Sequence, residues 1–432
     1  MQTIEQLKAG KLSGTIHVKL REDQRDFPLE ILELADTLEI LDLSGNRLNK
    51  LPDEFVRLKK LRILFLSDNE FTEFPSVLAV CTQLDMIGFK ANKIEHIAED
   101  ALPINVRWLI LTNNRLICLP KSIGKCTKLQ KVMLAGNQLK ELPDEMVACK
   151  RIELLRISAN DIQEFPLWLF SLPRLSWLAY AGNPCSKVTY SPEYLQEISW
   201  NELTLIELLG EGASGVISKA DMRDNTQEVA VKVFKGEVTS DGRPDDEMNA
   251  CIAAGVHPNL VCLLGKIIDH PKQKQGLVFT LIPSTFKILG GSPDFKTCTR
   301  DTFNEGTLFP IHHIARVAGA IASAMVHLHA RGIMHGDLYA HNILVDEMAN
   351  SLLSDYGAAT WYDRRDAERG KLLERIEVRA FGCLLDDMLS HIDPKDEHHP
   401  ITKTLINLRQ ECFDESIMQR PDFIRIEKII KT

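Results

Sequence analysis

The chain has 432 residues, 44% of them hydrophobic and 26% charged, with a formal net charge of −9. This is the make-up of a soluble globular protein too long for a single core, so two or three domains are expected. The acidic balance argues against a general affinity for nucleic acid or anionic membrane. No apolar run reaches the roughly 20 residues that span a bilayer, and the segment Met1-Gln2-Thr3-Ile4-Glu5-Gln6 lacks the charged and apolar regions of a secretory signal.

The first half repeats. Asn46, Asn69, Asn92, Asn114, Asn137, Asn160 and Asn183 recur at intervals of 23, 23, 22, 23, 23 and 23 residues. Each closes a pattern hydrophobe-x-x-hydrophobe-x-hydrophobe-x-x-Asn, seen clearly in Leu38–Asn46 and Leu61–Asn69. Many copies continue to Leu-Pro or Phe-Pro, as at Leu51-Pro52, Phe74-Pro75, Leu119-Pro120, Leu142-Pro143 and Phe165-Pro166. The pattern resembles the leucine-rich repeat. That resemblance implies an α/β solenoid with one short strand per repeat, and stacking is obligatory because one repeat cannot bury its own apolar face. The asparagine amides are expected to satisfy backbone groups where the chain turns. A degenerate copy over 15–37 is expected to cap the N-terminal end.

Ten cysteines are scattered without a CxxC pair. Cys81, Cys126 and Cys149 each stand three residues before a repeat-initial hydrophobe, as Leu58 and Leu172 do elsewhere, and so read as small core residues. A reducing cytoplasm fits this usage best. The strand positions expected to face outward on the concave side are largely apolar, including Ile63, Phe65, Met86, Trp108, Ile110, Met133, Leu154 and Trp177. A solvated face should be polar, so these residues read as a docking surface for a protein partner, or as a face covered by other parts of the chain.

The repeats end at Asn183-Pro184, and a short stretch with Pro192 leads to Trp200 without a Gly/Ser-rich tether. The domains are expected over 1–195 and 200–432, the second dividing near residue 282. An apolar strand over 203–209 runs into Gly210-Glu211-Gly212-Ala213-Ser214-Gly215-Val216. Glycines let backbone approach phosphate oxygens without a Cβ in the way. In a dinucleotide fold that loop should open a helix. Here Val216-Ile217-Ser218 follows, then a turn at Arg223-Asp224-Asn225, then the strand Glu228–Phe234 carrying Val229-Ala230-Val231-Lys232. The order is strand, loop, strand. Lys232 on a buried strand needs a partner, which the helical segment 245–254 offers as Glu247, with Asp246 as the fallback. Gly276–Pro283 reads as a strand leading into a hinge. A long amphipathic helix over 311–331 ends at Arg331-Gly332. His335-Gly336-Asp337-Leu338-Tyr339-Ala340-His341-Asn342 follows, and then Ser354-Asp355-Tyr356-Gly357.

In this order and spacing, residues 203–430 resemble a eukaryotic-type protein kinase domain, with an α+β two-lobed fold. The resemblance implies ATP as phosphoryl donor and Mg2+ as cofactor. It implies that Asp337 receives the acceptor hydroxyl proton, that Asn342 and Asp355 hold magnesium, and that Lys232, positioned by Glu247, holds phosphate. Leu209, Gly210, Gly212 and Gly215 would cover the nucleotide. Val216, Ala230 and Leu344 would sandwich the adenine, with Phe279 behind it and Leu281 offering hinge backbone. Glu377–Gly382 resembles the family's Asp-Val-Trp-Ser-Phe-Gly helix, and Arg420-Pro421 its late Arg-Pro.

Three departures matter. Gly336 replaces the arginine that reads an activation-loop phosphate. Glu377 follows only 20 positions after Gly357, with no clear Ala-Pro-Glu. Tyr339 stands where Ser/Thr kinases usually have lysine. Thr360 and Tyr362 are the only hydroxyls between Gly357 and Ser390, and without the arginine their phosphorylation should have little effect. The expectation is a Ser/Thr protein kinase whose repeats dock a partner. A kinase-like scaffold without significant transfer and a kinase for a small-molecule acceptor are the alternatives. A chain with no membrane span differs from the receptor kinases of plants, and its Leu-Pro repeats also resemble those of some bacterial effectors delivered into host cells. His391, His398 and His399 lack the spacing and cysteine partners of a metal site and read as an exposed loop.

Overall fold

The computed structural model describes residues 2–188, 195–212, 214–222, 227–236 and 238–431. The stretch around Pro192, Ala213 of the glycine-rich loop and the expected turn at Arg223-Asp224-Asn225 lie outside the described residues. The chain divides into two compact units, one comprising 1–174 with 183–185, the other 175–182 with 186–432.

In the first unit, three-residue strands repeat at the expected positions. They are His17–Lys19, Ile40–Asp42, Ile63–Phe65, Met86–Gly88, Trp108–Ile110, Lys131–Met133 and Leu154–Arg156, each parallel to the next and in register. The strand His17–Lys19 lies in the degenerate N-terminal copy, preceded by the helix Ile4–Lys8, whose Thr3 and Gln6 form a capping box. The middle residue of each repeat strand points inward. Leu41, Leu64, Ile87, Leu109, Val132 and Leu155 are fully buried, and each contributes roughly 1.5–3 kcal/mol when a neighbouring repeat covers it.

The Leu-Pro and Phe-Pro pairs have a structural purpose. Each proline precedes a 3-10 turn on the opposite side of the coil: Asp53–Arg57, Ser76–Val80, Lys121–Lys125, Asp144–Ala148 and Leu167–Ser171. Proline has its φ already near the helical value and lacks only an N–H that would be unsatisfied there. The asparagines form the expected ladder. The Oδ1 of Asn137 accepts from Leu116 N at 3.1 Å, and its Nδ2 donates to Leu111 O and Leu134 O, both at 2.9 Å. Asn69, Asn92, Asn114 and Asn160 do the same one repeat apart. Cys126 and Cys149 are buried, and burial pushes their thiols up to about 12 and about 11. Cys81 corrects the core reading, since its side chain is only half-buried.

The second unit contains a six-stranded sheet in the order Leu203–Glu211, Gly215–Met222, Gln227–Phe234, Gly276–Thr280, Leu263–Ile268, Glu197–Ser199. The last strand pairs parallel with Leu263–Ile268, so the sheet takes in residues that the sequence gives no strand signal for. Ile198, Ala220, Val229, Val231, Ile267 and Val278 form its core. The helix Pro244–Ala254 carries Glu247. Beyond the sheet, the helices Ile311–Ala330, Ala367–Leu389, Pro400–Cys412 and Phe423–Lys431 build the second lobe. The first of these stops at Arg331 and Gly332 as expected. Gly332 has φ +71, and a Cβ there would meet Tyr362 O at 2.8 Å.

The segment Leu175–Gly182 reads in sequence as the strand region of the last repeat, yet it groups with the second unit. Trp177, expected on an open concave face, is 1% exposed and stacks on Tyr339. Ile63, Met86 and Leu154 are likewise buried, whereas Phe65, Trp108, Ile110 and Met133 are half-buried. Of the eight residues expected to form a docking surface, Ile63, Met86, Leu154 and Trp177 are therefore corrected to buried. Side chains on three-residue strands set close together cover one another, as Phe65 does over Gly88, where a Cβ would meet its ring at 2.7 Å.

Candidate active site

The glycine-rich segment is a hairpin end. Glu211 faces Val216 across the strand pair, and Gly212 N donates to Gly215 O at 2.9 Å. Its glycines serve different ends. A Cβ on Gly215 would lie 2.8 Å from Val233 O, so close strand packing requires glycine there. Gly210 and Gly212 have no atom within 4 Å of where a Cβ would stand. Their backbone is open, as a loop over phosphate needs.

Lys232 sits opposite Leu277 and Ile217 in the middle of the sheet, and its ammonium pairs with Glu247. Burial works against the charged lysine, but Glu247 and Asp355 outweigh it and hold its pKa above the ordinary value. The Asp246 fallback is not needed. Around the sheet face, Leu209 is exposed, while Val216, Ala230, Phe279, Leu281 and Leu344 are half-buried. Ala230 and Phe279 are direct neighbours across two strands. Leu344 comes from the small sheet formed by Lys287–Ile288, Ile343–Val345 and Ser351–Leu353.

The loop from His335 to Asn342 is fixed at nearly every residue. His335 Nε2 donates to Ser354 O at 2.9 Å, and its ring lies against Tyr356 at 5.6 Å. Gly336 N donates to Glu377 Oε1 at 2.7 Å, and Glu377 Oε2 accepts from His329 Nε2 at 2.7 Å. Asn342 Nδ2 donates to Asp337 O at 2.9 Å and to Asp337 Oδ2 at 2.8 Å, bonds that do not use its Oδ1. Asp301 accepts from Ala340 N at 2.5 Å and from His341 Nδ1 at 2.6 Å. Burial opposes a charge on His341, but the Asp301 carboxylate raises its pKa overall. Asp355 has φ +60 and accepts from Gly357 N at 3.0 Å.

The activation segment is shorter than the sequence spacing implies. The helix Ala367–Leu389 begins ten residues before Glu377, capped by Asp366, so only 358–366 lie between Gly357 and that helix. Thr360 and Tyr362 are buried. The Tyr362 hydroxyl donates to Glu374 Oε1 at 2.6 Å, and Arg420 donates to Asp414 O and Arg375 O. A cavity of about 490 Å³ behind this segment is lined by His329, Tyr362, Arg364, Lys371, Glu374 and Phe423. None of the expected site residues line it.

The structure thus brings Lys232, Glu247 and Asp355 together, and Asp337 with Asn342, from positions scattered over more than a hundred residues. It adds supports that sequence reading missed. Asp301 lies in a stretch without periodicity, and nothing local marks it. His329 looks like one more helical residue. Of the histidines expected in an exposed loop, His398 is exposed, but His391 and His399 are half-buried: His391 Nδ1 lies 2.9 Å from Asp387 O, and His399 Nδ1 accepts from Ile401 N. The residues fit ATP with magnesium through the donor set of Asp355 and Asn342 Oδ1, the paired lysine and the open glycine backbone.

Comparison with known proteins agrees with both halves. A protein kinase domain matches residues 203–372, and a leucine rich repeat matches 36–94. The chain is 28% identical to a PR5-like receptor kinase of Arabidopsis thaliana over 42% of its own length and 26% of the relative's. It is 30% identical to a probable serine/threonine-protein kinase of Dictyostelium discoideum over 39% and 10%, respectively. It is 29% identical to the tyrosine-protein kinase Fer of Mus musculus over 38% and 19%. The chain therefore spans about a quarter or less of each of these relatives. All three are eukaryotic, and they lend no support to the bacterial likeness of the repeats. No helix among the described residues is long and apolar enough to cross a membrane. The chain joins a leucine-rich repeat region to a protein kinase domain.

Proposed function

We propose that the chain is an ATP-dependent protein kinase that transfers the γ-phosphoryl group to a serine or threonine hydroxyl. The observation that carries this reading is the assembled set: Lys232 paired with Glu247 beside Asp355, and Asp337 held by Asn342. Lys232 holds the α- and β-phosphates, and the backbone of Gly210 and Gly212 covers them. Val216, Ala230, Phe279, Leu281 and Leu344 enclose the adenine. Asn342 Oδ1 and the Asp355 carboxylate are the ligands this chain offers to magnesium, which when bound neutralises charge on the phosphate oxygens. Asp337 accepts the proton of the acceptor hydroxyl as its oxygen bonds to the γ-phosphorus. The bond from that phosphorus to the bridging oxygen breaks, and ADP leaves.

The repeat region serves a protein partner or substrate in this reading, through the half-exposed Phe65, Trp108, Ile110 and Met133. Radiolabel transfer from ATP with magnesium tests the proposal. Label on a protein acceptor, lost in Asp337→Ala, supports it. Equal label from wild type and Asp337→Ala on every acceptor and on the chain itself would indicate a scaffold without transfer. Label on a small molecule alone would move the acceptor out of the protein class.

A further inference from the structure

Four consecutive residues of the catalytic loop are held in place, and two of the holds come from 175–182. Gly336 N is bound by Glu377, and Asp337 by Asn342. The Trp177 indole Nε1 donates to Leu338 O at 3.0 Å, and its ring lies flat on Tyr339 at 4.3 Å with 7° between planes. Tyr339 stacks in turn on His341 at 4.8 Å. The same segment reaches the activation segment, where Tyr180 N donates to Thr360 Oγ1 at 3.2 Å and the Tyr180 hydroxyl to Trp361 O at 3.4 Å. Its backbone also explains Gly336. With φ +73, a Cβ at position 336 would stand 2.5 Å from Ala358 O and 2.8 Å from Leu178 O. An arginine side chain has no room where Leu178 passes.

We propose that Leu175–Gly182 is a built-in positioning element of the transfer site, in which Trp177 holds the loop carrying Asp337 through Leu338 and Tyr339. Resting on the kinase reading above, this makes the chain's own segment do what a phosphate on the activation segment does when an arginine precedes the catalytic aspartate. Tyr339 follows from the same arrangement, because a flat ring gives the indole a surface that a lysine would not. Trp177 is a positioning residue: it touches no reacting atom, and it acts through Leu338 and Tyr339, the two residues directly after Asp337.

The test uses the full chain. Trp177→Ala is expected to lower kcat by roughly ten- to a hundredfold, the scale set by small misplacement of a reacting group, while the KM for ATP stays within about twofold. Trp177→Phe, which keeps a flat ring, should recover much of the loss. Amide hydrogen exchange in Trp177→Ala should rise over 336–342 and 358–362 and stay unchanged over 227–234. Unchanged kcat in Trp177→Ala would overturn the proposal. So would a parallel loss of kcat, ATP affinity and melting temperature that Trp177→Phe does not relieve, since that pattern is general destabilisation. If the wild type transfers no label, the kinase reading fails and hydrogen exchange decides alone. A rise confined to the two loop segments sustains the positioning role, and exchange equal to wild type removes it.

Discussion

Asparagine does two jobs in this molecule. In the repeat unit, Asn137 closes a turn, and its neighbours one repeat away close identical turns with identical bonds. In the kinase unit, Asn342 occurs once, and its amide is spent on orienting Asp337. The first arrangement distributes stability over many equivalent contacts between sequence neighbours. The second concentrates function in a few groups brought together from far apart. A repeat array is stabilised by nearest-neighbour terms, so losing one asparagine should cost folding energy. Losing one member of the transfer site should cost rate and little stability.

The largest expected effect is on chemistry. Asp337→Ala should reduce phosphoryl transfer about a thousandfold, within the span of general-base contributions, with the melting temperature held. A large drop in melting temperature would show that the loop's bonds, not proton transfer, depend on this carboxylate. Next comes the ladder. Asn137→Ala strips the partner from three buried backbone groups and should lower unfolding free energy by about 2–4 kcal/mol, read by denaturant titration. A cost under about 0.5 kcal/mol would mean that the neighbouring repeats relax to compensate.

The glycines sharpen the contrast within one loop. Gly215→Ala forces a Cβ against Val233 O and should cost about 1–3 kcal/mol, whereas Gly210→Ala meets nothing and should leave stability within about 0.5 kcal/mol. Gly210→Ala is then free to report on nucleotide, as a raised KM for ATP. The smallest effect concerns phosphorylation. Thr360 and Tyr362 are buried, so phosphatase treatment should leave transfer unchanged. A fall in activity after treatment would contradict the packing of that segment. Tyr362→Phe should cost about 1 kcal/mol of stability through lost bonds to His329 O and Glu374.

The repeat period, the glycine-rich loop, Lys232, Asp337, Asn342 and Asp355 were all legible in the sequence because each depends on local spacing. A strand every 22 or 23 residues must stack, and a turn closed by asparagine must close the same way each time. The pairing of Lys232 with Glu247 was also within reach, since a buried lysine requires a carboxylate and the next helix offered one. The early start of the helix at Ala367 was missed although its signals are local: Asp366 caps it, and apart from Gly370 the residues 367–376 are mostly good helix formers.

Trp177 marks the other limit. Its position in the repeat is identical to that of Trp108, and period alone assigns both to the same face. One is half-exposed, and the other is buried against Tyr339, more than 160 residues away in the chain. Sequence by itself singled out the groups proposed to bind and transfer phosphate, because such chemistry demands particular side chains at particular spacings. Only the tertiary structure decided what surrounds them: the carboxylate of Asp301 under His341, Glu377 and His329 behind Gly336, and the segment 175–182 across the loop. These supports are set by the surface left after the elements pack, and a pattern read along the chain has no access to that surface.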